Sequence, residues 1–236
     1  MKIMFYDIET TGLFASNCGI HQISGAITEL KPGDKRVTVL DHFNFKMKPF
    51  QGKRVYPSAL EVGGLTYDTI AAYPEPKAVY NQFIEIIKKH VNKFDPDDKM
   101  FLAGYNNLHF DNDFLRQWFC DCGDRYFGSY FWSNAMDVMA EAGKVLMNIR
   151  PFMPNFKLGT VAKTFGIKFD EGDLHDAMID IRLTIQIFNK ILENPSIRNL
   201  DGLNLGKMKE EVLAHKEEQR RENKHKKEQE RYVVFE

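Results

Sequence analysis

Two acidic side chains, Asp7 and Glu9, directly follow the apolar segment IMFY near the start of the chain. Successive side chains of a β-strand point to opposite faces, so the two acids are expected on the same face of one strand. An unpaired carboxylate at the edge of a hydrophobic core costs several kcal/mol. The pair therefore predicts a compensating partner, either cationic side chains or metal ions.

Two further segments place a carboxylate beside apolar residues. Asp111 lies in FDNDFL, where a predicted strand gives way to a helix, and Asp180 lies in HDAMIDIRL, about one turn inside another predicted helix. Taken singly, Asp111 could be a helix N-cap, Asp180 a solvent-facing residue, and Asp7 and Glu9 turn residues. Taken together, their apolar neighbours favour four carboxylates at the edge of one core.

Four converging carboxylates would repel one another strongly. Two unit charges about 4 Å apart repel by roughly 4 kcal/mol at an effective dielectric constant of 20. Hard divalent cations such as Mg²⁺ or Mn²⁺ would relieve this repulsion, since they prefer oxygen ligands. Two such ions about 3.5–4 Å apart are suited to phosphodiester hydrolysis. Zinc is less favoured, because the set offers no thiolate and a single histidine.

That histidine, His175, lies five residues before Asp180. On one helix the two would be about 140° apart and would not share a face. If Asp176 caps the helix, His175 falls in the preceding loop and could deprotonate an attacking water. The alternative is a loop histidine without a catalytic task.

The elements that must position these residues form an α/β pattern with a mixed sheet. The segment 57–91 predicts two helices, the first ending at Gly63-Gly64. A fifth strand is weakly marked within 129–137, where Asp137 is expected to be structural. The other predicted strands are 2–9, 21–30, 36–49 and 100–106, and the other predicted helices are 110–123, 133–146, 155–167 and 175–192.

Composition limits the classes of partner. The 236 residues are 43% hydrophobic and 28% charged, with a net charge of -1, so any attraction for phosphate must be local or carried by metal ions. Cys18, Cys120 and Cys122 form no disulfide or zinc framework and are read as free thiols of a reducing compartment. No apolar run approaches the roughly 18–20 residues that span a bilayer, which predicts a soluble, cytoplasmic protein without membrane contact.

The chain is expected to divide into a domain over residues 1–195 and a charged C-terminal segment over 196–236. After about residue 205 almost every residue is charged until the final YVVFE. Such a segment lacks an apolar stripe, so it is a solvated helix or a disordered tail. Its last residues could dock on a protein partner.

The motifs DIETTG, NNLHFDNDFL and HDAMID, in this order, resemble the DEDDh (DnaQ-like) family of 3′–5′ exonucleases, over residues 1 to about 190. SALEVGGLT and FKLGTVAKTFGI also resemble connecting segments of that family. A sister group has tyrosine four residues before the last acid, where this chain has Asp176. The form GYNNLHFD is similar to bacterial exonuclease I, which favours single-stranded DNA.

The resemblance implies a ribonuclease H-like fold, with a five-stranded mixed sheet whose strands 1–3 are antiparallel and flanked by helices. It implies that two Mg²⁺ (or Mn²⁺) ions bind to four acids, that Asp7 bridges them, and that His175 is the general base. The implied ligands are Asp7, Glu9, Asp111 and Asp180. The implied substrate-binding residues are Thr10, Thr11, Gly12, Leu13, Phe14 and Asn107, with Leu13 and Phe14 wedging the bases.

The leading interpretation is a metal-dependent 3′–5′ exonuclease that hydrolyses single-stranded DNA, or nucleic-acid 3′ ends, to nucleoside 5′-monophosphates. An RNA-directed exonuclease would use the same chemistry, because the choice of sugar depends on the pocket around the 2′ position. A non-catalytic nucleic-acid-binding module is a second alternative. A third is a proofreading subunit that its tail tethers to a separate polymerase.

Overall fold

A computed structural model of the chain describes residues 1–61, 63–107, 110–170 and 177–193, together with seven isolated positions between 210 and 224. Its five strands are β1 Lys2–Thr10, β2 Ile20–Glu29, β3 Thr38–Lys46, β4 Met100–Gly104 and β5 Met136–Asp137. They form one mixed sheet in the order β3-β2-β1-β4-β5. The pairs β1–β2 and β2–β3 are antiparallel, whereas β1–β4 and β4–β5 are parallel. The predicted five-stranded mixed sheet is confirmed.

Helices cover both faces of this sheet. They are α1 Pro57–Glu61, α2 Tyr67–Ala71, α3 Pro76–His90, α4 Asp111–Asp121, α5 Phe127–Tyr130, α6 Val138–Val145, α7 Leu158–Thr164 and α8 Ala177–Glu193. The seven described positions between 210 and 224 are helical and exposed. No helix in the described part of the chain is long and apolar enough to cross a membrane.

The central strand β1 is apolar on both sides because each side is covered by a helical layer. Met4, Tyr6 and Ile8 belong to the core that also contains the buried residues of α3 and α4. Ile3 and Phe5 belong to the core of α6, α7 and α8. Burial on both faces fixes the register of β1, and the register fixes the face of the sheet to which each later side chain of this strand points.

Two sequence predictions about helices were wrong. The segment 57–91 holds three helices rather than two, because Thr66 caps an additional helix, α2, by accepting a hydrogen bond from the Thr69 N–H at 3.2 Å. The helix predicted over 133–146 begins only at Val138, because Met136 and Asp137 pair with β4 as the fifth strand. The short helix α5 was not predicted.

Candidate active site

The first two acids lie near the C-terminal end of β1. Asp7 and Glu9 continue the face of Ile3 and Phe5, as the alternation predicts, with Asp7 partly buried and Glu9 exposed. The pairing of β1 with β2 shifts between Glu9 and Thr10. A strand bends at such a bulge. Beyond Thr10, the last residue of β1 paired with β2, the chain therefore leaves the sheet and forms the turn that was predicted to bind the terminal nucleotide.

Asp111 is brought to this strand end by the start of α4. It is buried, and its Oδ1 accepts a hydrogen bond from the Ile8 N–H at 3.1 Å. The next residue, Asn112, accepts a hydrogen bond from the Tyr6 hydroxyl. Asp111 is not the N-cap of α4, since Phe110 occupies that position. Two bonds thus join the first turn of α4 to β1 on either side of Asp7.

Asp180 lies in the first turn of α8, as the sequence predicts. Asp7 and Asp180 both line a narrow cleft of about 140 Å³. Phe5, Tyr6, Tyr105, Leu158, Ile181 and Thr184 complete its lining. The structure therefore brings together two carboxylates that are 173 residues apart in sequence.

The acids of the site raise one another's pKa values. Burial, followed by the charges of Asp111, Glu9 and Asp180, raises the pKa of Asp7 from 3.8 to about 8. Burial is also the main cause that raises the pKa of Asp111 to about 7; the Ile8 N–H opposes it, and the charges of Glu9 and Asp137 add to it. At the end of β1, burial and repulsion between carboxylates therefore both disfavour the ionised forms of Asp7 and Asp111.

This donor set fits a hard divalent cation. All four side chains are oxygen donors, and a cation placed among them would lower the repulsion that raises the pKa of Asp7. Within the described ranges, no three side chains among His, Cys, Asp and Glu form a ready metal-binding group. The four acids are thus near enough to interact, and a cation would have to draw them into closer coordination.

Five of the predicted active-site residues line a second, wide cleft of about 490 Å³: Glu9, Thr10, Gly12, Leu13 and Phe14. Leu13 and Phe14 are 74% and 64% exposed. Exposed large apolar side chains beside a cavity are typical of a binding site. The wide cleft therefore begins at one of the carboxylates and continues along the turn after β1.

Thr11 and Asn107 do not line either cleft. Thr11 is fully buried, and its hydroxyl donates a hydrogen bond to the Arg54 carbonyl at 2.6 Å. Asn107 is 1% exposed and packs on Gly104, where an added Cβ would lie 2.4 Å from Asn107 Nδ2. Both side chains are therefore buried in the protein and do not face either cleft.

Asp137 has the structural position that its sequence context predicted. Its Oδ1 accepts hydrogen bonds from the backbone N–H groups of Met139 and Ala140 at 2.9 and 3.3 Å, which caps α6. The same atom accepts the Asn106 N–H at 3.0 Å. Asn106 has a φ of 62°, so this bond holds the sharp turn that follows β4. His175 and Asp176 lie outside the described residues.

Sequence reasoning missed four residues of the wide cleft. Tyr56, Ser58, Ala59 and Phe110 line it, together with Ile8. Three of them come from the segment around the start of α1, more than 40 residues after β1. Its resemblance to a connecting segment of exonucleases was the available signal. Periodicity carried no sign that this segment would fold against the turn.

Comparison with known proteins defines the class. A model of the exonuclease family matches residues 4–188. The chain therefore belongs to this family, the DEDDh-type 3′–5′ exonucleases that its motifs resemble.

Two individual relatives share about a quarter of their aligned residues with this chain. Ribonuclease T of Shewanella denitrificans is 25% identical over 188 residues, covering 79% of this chain and 78% of the relative. Ribonuclease T of Shewanella frigidimarina is 24% identical over 184 residues, covering 77% and 78%.

Among solved structures, E. coli exonuclease I in complex with a dT13 oligonucleotide has a similar fold, with a TM-score of 0.62 and 22% identity over 80% of this chain. The chain spans about 40% of the length of that exonuclease I chain. A complex described as ExoI/SSB-Ct gives a TM-score of 0.63 with 21% identity over 82% of this chain. These likenesses agree with the observed sheet order and its flanking helices.

Proposed function

We propose that this protein is a divalent-metal-dependent 3′–5′ exonuclease that releases nucleoside 5′-monophosphates from single-stranded DNA. The observation that carries the proposal is the interaction of Asp7 with Asp111, Glu9 and Asp180 at the end of β1, where Glu9 also lines the wide cleft. Carboxylates that raise one another's pKa are costly to fold, and a cation that must bind among them gives a reason for their presence.

The residues that would hold the metal are Asp7, Glu9, Asp111 and Asp180, with two Mg²⁺ or Mn²⁺ ions as the proposed complement. When bound, the ions supply an activated water and neutralise charge on the leaving oxygen. Asp7 would hold the ions together with the other three acids, since the charges of all three act on it.

The remaining steps are assigned to side chains of the chain itself. His175, which precedes α8 in sequence, is proposed to take the proton of the attacking water. The apolar lining of the wide cleft, with Leu13 and Phe14 exposed in it, is proposed to hold the terminal nucleotide and exclude water. Thr10 donates its hydroxyl to the Gly12 carbonyl at 2.8 Å, which keeps this turn in one shape.

DNA is proposed as the substrate because the chain carries the GYNNLHFD form and because a solved structure of similar fold contains a dT13 oligonucleotide. RNA is the second candidate, since the curated relatives are named Ribonuclease T. We further propose that residues 1–195 form the exonuclease domain. The charged segment 196–236 is then available as a tether to a protein partner, and a proofreading role would depend on it.

A time course on 5′-labelled substrates tests the function. Single-stranded DNA, duplex DNA and RNA of one sequence are incubated with Mg²⁺, with Mn²⁺, or with EDTA. The expected result is a ladder that shortens from the 3′ end of single-stranded DNA and is absent in EDTA. Internal cuts would contradict the proposed direction, and preferential cutting of RNA would favour the second candidate.

The non-catalytic alternative is tested with one substitution and a matched control. Asp7→Ala should abolish metal-dependent cleavage, whereas Asp34→Ala, which removes an exposed aspartate between β2 and β3, should leave it intact. Unchanged cleavage by Asp7→Ala would refute the site assignment. Cleavage by neither variant nor the native protein would support a binding module.

A further inference from the structure

Three aromatic side chains line the wide cleft, and they differ in how firmly they are held. Phe14 is 64% exposed on the turn after β1. Phe110 is partly buried and packs on Phe114, with ring centroids 4.9 Å apart. Tyr56 is 41% exposed, so its ring is both accessible from the cleft and largely covered by protein. Tyr56 has less exposed surface than Phe14, and its ring lies against the turn after β1.

The backbone of Tyr56 is fixed to the turn that follows β1. Its N–H donates to the Thr11 carbonyl at 2.9 Å, and the Thr11 hydroxyl donates to the Arg54 carbonyl at 2.6 Å. The Tyr56 carbonyl in turn accepts the Ala59 N–H at 3.0 Å, at the start of α1. Three hydrogen bonds therefore set the direction in which the ring leaves the chain.

The ring itself rests on Gly12. A Cβ added at Gly12 would lie 2.6 Å from Tyr56 Cδ2 and 2.6 Å from Cys18 Sγ, so only glycine leaves room for the ring in this position. Side chains held in one rotamer before binding lose less entropy on binding. Tyr56 is thus a preorganised aromatic surface.

The same contacts link this surface to the acids. Thr11 and Gly12 follow Glu9 by only two and three residues, at the end of the strand that carries Asp7. A base lying on the Tyr56 ring would therefore have a defined position relative to the carboxylates. Stacking of a base on an aromatic ring contributes about 1–3 kcal/mol and tolerates all four bases.

We propose that Tyr56 binds the 3′-terminal nucleobase by stacking and so places the last phosphodiester at the carboxylates. The proposal rests on the proposed exonuclease function. It assigns recognition of the base to a residue outside the three acidic motifs. Because stacking uses the face of the base rather than its edges, it predicts a terminal site that requires a base and accepts any of the four.

Binding measurements with two probes test this assignment. The probes are a 5′-fluorescein ten-nucleotide oligothymidylate and the same strand with an abasic 3′-terminal residue, titrated with Ca²⁺ in place of Mg²⁺ to suppress turnover. For the native protein, removal of the base should weaken binding roughly 5- to 150-fold, as expected for the loss of one stack. Tyr56→Ala should bind the complete strand more weakly by the same factor and should not distinguish the two probes.

Two control variants separate stacking from a loss of structure. Tyr56→Phe keeps the ring and should bind both probes as the native protein does. Tyr67→Ala removes a tyrosine that is 63% exposed on α2 and does not line the wide cleft, so it should change neither affinity. Urea unfolding of each variant verifies that the fold is retained.

The outcomes distinguish the two proposals. If Tyr56→Ala still loses affinity on removal of the base, by the same factor as the native protein, Tyr56 is not the partner of the base. The exonuclease proposal survives that result as long as the native protein shortens the 5′-labelled strand from its 3′ end. If the native protein binds neither probe and cuts no strand, both proposals are overturned.

Discussion

Replacement of Asp7 by asparagine should stabilise the metal-free protein while removing its activity. In the folded state the pKa of Asp7 is about 8, against 3.8 for an unperturbed aspartate. At pH 7 the carboxyl is ionised when the chain is unfolded and mostly protonated when it is folded. Folding at pH 7 therefore requires Asp7 to take up a proton, which costs free energy. Asparagine has nearly the same shape and carries no charge at any pH, so the variant folds without this cost.

The sign and size follow from proton linkage. Between pH 4 and 8 the folded state binds more protons at Asp7 than the unfolded state, so this residue lowers the free energy of unfolding as pH rises. At pH 7 the penalty spans about 3 pH units at about 1.36 kcal/mol each, an upper limit of about 4 kcal/mol. We expect Asp7→Asn to gain about 1–4 kcal/mol at pH 7 in EDTA and almost nothing at pH 4.

Urea unfolding in EDTA at pH 4, 5.5 and 7 measures this difference, with Asp34→Asn as a matched control on an exposed aspartate. The control should follow the native protein at every pH. Added Mg²⁺ should stabilise the native protein, because a ligand that binds only the folded state shifts the equilibrium, and should stabilise Asp7→Asn much less. A variant that is no more stable than the native protein at pH 7 in EDTA would refute the electrostatic reasoning.

Three further predictions concern buried residues of β1, β2 and β4, each measured by urea unfolding. Gly104→Ala would place a Cβ 2.4 Å from Asn107 Nδ2, so we expect a loss of about 1–3 kcal/mol; an unchanged stability would show that Asn107 can move aside. Tyr6→Phe removes the hydrogen bond to Asn112 and should cost about 1–2 kcal/mol, and a neutral result would mean that the first turn of α4 is held by its other contacts. Burial, followed by the charge of Lys46, lowers the pKa of His21 to about 4. Between pH 6.5 and 4 the unfolded chain therefore binds a proton at His21 that the folded protein does not, so the free energy of unfolding falls as pH falls through this range. His21→Phe should therefore be less sensitive to acid than the native protein over this window, and equal sensitivity would contradict the shift.

Much of the fold could be predicted from local patterns. The apolar alternation of residues 2–9 predicted β1 and the common face of Asp7 and Glu9, and both agree with the structure. The predictions were less accurate where contacts between distant segments determine the secondary structure. The fifth strand is only two residues long and exists because Met136 and Asp137 pair with β4, so no periodicity could mark its start.

The candidate site divides in the same way. The types and order of Asp7, Glu9, Asp111 and Asp180 predicted a carboxylate cluster, because repulsion among acids can be reasoned from residue type and placement at element ends. The coupling of the charges in the structure agrees with this reasoning. By contrast, the Thr11 hydroxyl donates a hydrogen bond to the carbonyl of Arg54, which is 43 residues away in sequence. No local pattern predicted that Thr11 would be buried by this contact.

By itself, the sequence determined the apolar central strand, the acids at its end and the exonuclease family. The strand and the placement of its acids depend on residue type and on spacing within one element, where backbone geometry repeats every two or 3.6 residues. The family was inferred from the resemblance of three motifs and their order along the chain. Only the tertiary structure decided that Asp7 and Asp180 share one cleft and that Tyr56 lies on Gly12 beside Glu9. Those relations join distant segments through packing against a shared core, and no local period in the chain encodes them.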